Sequence, residues 1–101
     1  MKLTSKQRAI LRAEAHHLHA IVHMGHNGLT ESLVLAVDDA LRTHELVKVA
    51  LARTVDVKPK DAAHELAEKL GAEVIQTIGR TCTLFRENPD IKRKQGAAPW
   101  R

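Results

Sequence analysis

The apolar positions change period several times along the chain, and each change marks an element. Thr4-x-x-Gln7 has the spacing of a capping box. Leu3, Ile10, Leu11, Ala15 and Leu18 fall broadly on one side of the segment it opens, which predicts a helix over about residues 4–17. Lys6, Arg8, Arg12 and His16 fall on its other side, while Gln7 and Glu14 interrupt the apolar stripe. Ala20-Ile21-Val22-His23-Met24 is short and β-rich and stops at Gly25, so it reads as a strand. Gly25-His26-Asn27-Gly28 then breaks regular structure. Thr30 suits an N-cap, and the next helix runs to about His44. Leu29, Leu33, Val34, Ala36, Val37, Ala40 and Leu41 cover one face of it; Glu31, Asp38, Asp39 and Arg42 cover the other.

Partial alternation over residues 45–53 predicts a second strand carrying Lys48 and Arg53. Pro59 opens a third helix with Ala62, Ala63, Leu66, Ala67 and Leu70 as its stripe, and Gly71 stops it. Residues 73–78 and 81–86 form a hairpin about Gly79-Arg80. The order is α-β-α-β-α-β-β. Strand–helix–strand units favour parallel neighbours and a terminal hairpin adds an antiparallel pair. An α/β fold is expected, a mixed four-stranded sheet packed with three helices.

Composition narrows the picture. A chain of 101 residues holds one domain, expected over residues 1–88. From Glu87 the sequence turns polar, so residues 89–101 read as a flexible basic tail carrying Lys92, Arg93 and Lys94. Phe85 and Trp100 are the only aromatic residues, so the core is aliphatic and base stacking is not the main mode of any nucleic-acid recognition. Cys82 is the single cysteine, which excludes an internal disulfide and a multi-cysteine zinc site. A charged N-terminus and the lack of a long apolar run predict a soluble, cytoplasmic protein with no membrane partner. A monomer is the expected state.

The net charge of +4 is unevenly spread. Residues 1–29 hold four Lys/Arg against one Glu, residues 30–71 six against eight acids, and residues 72–101 six against three. Basic ends that meet in the fold make a surface for a phosphate backbone.

The Gly25–Gly28 loop gives that surface a focus. A helix N-terminus offers free N–H groups and the positive end of the helix dipole. Glycines let a phosphate come close to the main chain, and His26 and Asn27 project between them with hydrogen-bond donors. A GXXG loop of this kind clamps the nucleic-acid backbone in KH domains, although the four letters alone also describe an ordinary strand–helix turn.

The blocks GHNGLTE, HELVKV and GAEVIQTIGRTCTLFRENP, in that order, resemble the CRM domain (chloroplast RNA splicing and ribosome maturation). AHHLHAIVHMG, from Ala15 to Gly25, is similar to the family's segment leading into its loop. The resemblance covers about residues 3–89 and is nearest the bacterial single-domain, YhbY-type members. It implies a fold similar to the C-terminal domain of translation initiation factor three, and RNA binding through the GXXG loop and nearby basic residues. Bacterial members associate with precursors of the large ribosomal subunit; plant members act in group II intron splicing. The loop role carries over to Gly25, His26, Asn27 and Gly28, with Leu29 and Thr30 starting the helix. His26 stands where many relatives have lysine, and brings less positive charge at neutral pH. Phe85 stands where the family often has tyrosine.

The expected function is therefore noncatalytic RNA binding, with ribosomal RNA as partner, during assembly of the large subunit, and with no cofactor. Lys6, Arg8, Arg12, Lys48, Arg53, Arg80, Arg86, Lys92, Arg93 and Lys94 are the candidate phosphate contacts; each alone is more often plain surface charge. A DNA- or mRNA-binding protein of similar α/β type is the alternative. A hydrolase using a histidine-bound metal is the more distant one. His16, His17, His19, His23 and His26 cluster in sequence, but no acidic or cysteine partner completes a ligand set. No serine or cysteine nucleophile sits near a base in a known motif. Asp38 and Asp39 diverge by about 100° on a helix, and Cys82 reads as a small buried residue.

Overall fold

The computed structural model describes residues 3–90. Its elements are α1 (Ser5–Ala15), β1 (Ala20–Met24), α2 (Glu31–His44), β2 (Leu46–Leu51), α3 (Pro59–Leu70), β3 (Glu73–Ile78) and β4 (Thr81–Phe85). The expected order is present. The sheet order is β1-β2-β4-β3. β1 pairs parallel with β2, and β4 lies antiparallel between β2 and β3. β1, β2 and β3 thus share one direction, as strand–helix–strand units favour.

Local chemistry explains the element ends. The Thr4 hydroxyl accepts from the Gln7 N–H at 3.1 Å, and Gln7 Oε1 accepts from the Thr4 N–H at 2.9 Å, which completes the capping box. The first helix is shorter than its stripe suggested: it ends at Ala15, and Leu18 lies beyond it, exposed. The second strand is also shorter. It ends at Leu51, so Arg53 sits in the following turn and not on the strand. α2 ends at Glu45, which takes a positive φ of 64°. Its buried carboxylate accepts from the Asn88 N–H at 2.6 Å, and its carbonyl accepts from the Arg86 N–H at 2.9 Å. Asn88 Nδ2 also donates to the Arg42 carbonyl. These bonds pin the chain down to Asn88, one residue short of the proposed tail. Lys92, Arg93, Lys94 and Trp100 lie outside the described residues.

The two faces of the sheet are covered differently. Val47, Val49 and Leu51 point with Cys82 and Leu84 to one face, where α2 and α3 bury them beneath Val37, Leu41, Ala63 and Leu66. Leu46, Ile75 and Phe85 point to the other face, where Leu3, Leu11 and Ala15 of the α1 segment cover them. That cover is partial. Cross-strand partners share a face, so Leu46, Phe85 and Glu73 make one row across β2, β4 and β3, near α1. Two further rows on the same face lie beyond it: Ala20–Lys48–Thr83–Gln76 and His23–Ala50–Thr81–Ile78.

Burial holds the Cys82 thiol in its neutral form, its pKa pushed up to about 11 by desolvation. It packs as a small apolar side chain and not as a nucleophile.

Candidate nucleic-acid interface

The shared direction of β1, β2 and β3 gathers three connections at one end of the sheet. They are the Gly25–Gly28 loop, the turn after β2 that carries Arg53, and the Gly79–Arg80 turn. The end is stitched together. The Ala52 N–H donates to the Met24 carbonyl at 2.9 Å and the Leu51 N–H to the Arg80 carbonyl at 2.8 Å. The Arg80 guanidinium donates to the carbonyls of Leu51, Ala52 and Val55. The first of these bonds ties the turn bearing Arg53 directly to the strand that leads into the loop.

Within the loop, the Gly28 N–H donates to the Gly25 carbonyl at 2.9 Å, closing a turn, and the Thr30 N–H donates to the Gly28 carbonyl at 3.0 Å. Gly28 has φ 69°, a left-handed conformation that favours glycine. Gly25 has no such φ, and a Cβ built on it meets no atom within 4 Å. Neither backbone nor packing requires glycine there. His26 and Asn27 are exposed between the two. The Thr30 hydroxyl caps α2 by accepting from the Leu33 N–H at 3.1 Å, and the Val34 N–H donates to the Thr30 carbonyl. The N–H groups of Glu31 and Ser32 precede these bonds and face outward from the helix start. An open groove of about 460 Å³ runs from the loop along β1 and α2, lined by Ile21, His23, Ser32, Leu33 and Ala36. Glu31 adds one carboxylate to this otherwise anion-attracting helix end.

The candidate basic residues divide into two sets. Arg8 lies half-buried on α1, donating to the Val74 carbonyl at 3.0 Å and to Glu73 Oε2 at 3.1 Å. It therefore faces β3, not the polar side of the helix where the stripe placed it. Arg86 donates to Asp38 Oδ1 at 2.8 Å and to the carbonyls of Leu70 and Asp38, both at 3.0 Å. With Arg80, these guanidinium groups are committed to the fold. Lys6, Arg12 and Arg53 are exposed and Lys48 half-buried, and none has a carboxylate partner among the described residues.

Sequence reasoning placed the loop correctly as a strand–helix connection but missed the groove beside it. The signal lay in exposed Ile21 and in Ala36, which the helical stripe placed in the core. Asp38 and Asp39 hold separate partners: Asp38 holds Arg86 and Asp39 holds Arg42. Among the described residues no three His, Cys, Asp or Glu side chains converge to hold a metal. No helix among them is long and apolar enough to cross a membrane.

Known proteins resemble this chain over most of its length. It is 33% identical over 91 residues to the probable RNA-binding protein YqeI of Bacillus subtilis, covering 90% of this chain and 95% of that one. It is 34% identical over 90 residues to an RNA-binding protein of Haemophilus influenzae, covering 89% and 91%. Its fold matches the solution structure of a hypothetical protein from Staphylococcus aureus with a TM-score of 0.76 and 33% identity, over 90% of this chain and 95% of the other. The model of the CRS1 / YhbY (CRM) domain matches residues 3–86, and the chain belongs to that family.

Proposed function

We propose that this protein binds ribosomal RNA in precursors of the large ribosomal subunit, without catalysis, by gripping the backbone at the Gly25–Gly28 loop. One observation carries the reading. Gly25, at the end of β1, opens onto free space in the groove that it lines together with Thr30 and Ser32 at the start of α2, with no internal reason to be glycine. Close approach by an outside backbone supplies that reason. Relatives named as RNA-binding proteins support RNA as the partner. The ribosomal target rests on the family resemblance, and the cytoplasmic location on the charged N-terminal sequence without a long apolar run.

Lys6, Arg12, Lys48 and Arg53 supply free positive charge in this reading, joined by Lys92, Arg93 and Lys94. Arg8, Arg80 and Arg86 hold the scaffold. Sedimentation of cell extract tests the target: the protein should travel with large-subunit precursors and leave them at high salt. A position only among free proteins or mature ribosomes would overturn the assembly role.

Glu31 opposes this use of the helix end. Glu31→Gln should tighten binding to a labelled single-stranded RNA about twofold to fivefold at low salt, since a charge at a helix N-terminus is worth about 0.3–1 kcal/mol. The gain should shrink as salt is added, because an exposed charge is screened.

A further inference from the structure

The sheet face beyond α1 holds a feature that the loop does not use. Thr83 is 2% exposed, yet its hydroxyl bonds to no described residue. A buried hydroxyl without a partner is costly and uncommon. Its neighbours in the same row are Lys48 and Gln76, and Thr81 and Ile78 lie in the next row. Together these five side chains line a recess of about 180 Å³. Lys48 has no carboxylate partner among the described residues, and neither row contains an Asp or Glu.

From this arrangement we infer that the recess is a second RNA subsite, taking one backbone phosphate and its ribose from the strand that the loop grips. Lys48 supplies the cation, the hydroxyls of Thr83 and Thr81 and the amide of Gln76 supply hydrogen bonds, and Ile78, 60% exposed, gives the sugar an apolar wall. An acidic protein segment would satisfy Lys48 as well. Continuity with the loop favours RNA: His23 lines the loop groove and also begins the row that ends at Ile78. At a strand spacing of ~4.8 Å that row spans about 14 Å, a short track from the loop across the sheet.

The subsite rests on the RNA-binding reading, so its test separates the two. Wild type, Lys48→Gln, Thr83→Val and Gly28→Asp are titrated with a short labelled single-stranded RNA of mixed sequence over a range of salt. Lys48→Gln should weaken binding and reduce the slope of log affinity against log salt by about 0.7, the value for one phosphate contact on a single strand. Thr83→Val keeps the side-chain shape and removes the unsatisfied hydroxyl. It should weaken binding about fivefold, as loss of one hydrogen bond does, leave the salt slope unchanged, and melt no lower than wild type. Wild-type affinity and slope in both variants, with binding lost in Gly28→Asp, would overturn the subsite and leave the loop standing. A lower melting temperature for Thr83→Val would also overturn it, by showing that the hydroxyl serves the fold. Absence of RNA binding by wild type would overturn both.

Discussion

Gly28→Asp should lower RNA affinity at least tenfold while the protein still folds. Gly28 sits at φ 69°, a conformation that Asp and Asn adopt more readily than other non-glycine residues. A side chain added there meets no protein atom within 4 Å, so it projects into the space the RNA backbone would fill. Two unit charges about 4 Å apart repel by about 1 kcal/mol in bulk water and about 4 kcal/mol near a protein surface. The carboxylate would also compete for the free amides at the start of α2. Gly28→Asn separates bulk from charge and should lose less. Fluorescence anisotropy with a labelled single-stranded RNA reads the affinity, and circular dichroism melts verify folding. Equal affinity in wild type and Gly28→Asp would remove the loop from the mechanism.

Arg86→Met should have the opposite profile, with a large loss of stability and intact RNA binding at temperatures where the protein stays folded. The guanidinium joins α2, the end of α3 and the chain after β4 through three hydrogen bonds. Its ion pair with Asp38 is partly solvated, at 25% and 45% side-chain exposure, so the charge attraction itself contributes little. The larger cost lies in the carbonyls of Leu70 and Asp38, which methionine cannot satisfy. Leaving such groups without a donor costs about 1–3 kcal/mol each. A net loss of about 2 kcal/mol corresponds to roughly 8–16 °C in melting temperature for a domain of this size. Arg86→Lys should recover part of it, because an ammonium cannot reach two acceptors with a planar fork. Unchanged melting with weakened RNA binding would return Arg86 to the interface.

These two residues show where sequence was informative and where it was not. The loop was legible because its signals are local. Two glycines, a capping threonine and an amphipathic run occur within a few positions of one another. The Thr4–Gln7 capping box was legible for the same reason. Arg86 was not, because its acceptors lie 16 and 48 residues away, and charge alone does not distinguish a buried clamp from a surface contact. Arg8 and Arg80 follow the same rule, with partners 25 to 66 residues away. The parallel strands and terminal hairpin followed from connection lengths, whereas the insertion of β4 between β2 and β3 did not. Alternation in β4 was visible, but not that α1 would cover Phe85 and, among the described residues, leave Thr81 and its row without a covering helix.

The division of the arginines also refines the charge argument. The basic N-terminal segment does reach the C-terminal hairpin, since α1 packs on β2 and β3, but Lys92, Arg93, Lys94 and Arg101, which carry the basic excess of the C-terminal end, lie outside the described residues. Part of that charge is consumed in the meeting, through Arg8 and Glu73. What remains free around the loop and the open sheet face is a smaller set, with Lys48 and Arg53 nearest the shared ends of the strands.

Backbone amide chemical shifts during titration with single-stranded RNA test the central claim most directly. The largest changes should fall on residues 25–32, where the loop and the free N–H groups of α2 meet the phosphate. Changes confined to α3, with the loop amides unmoved at saturation, would contradict it.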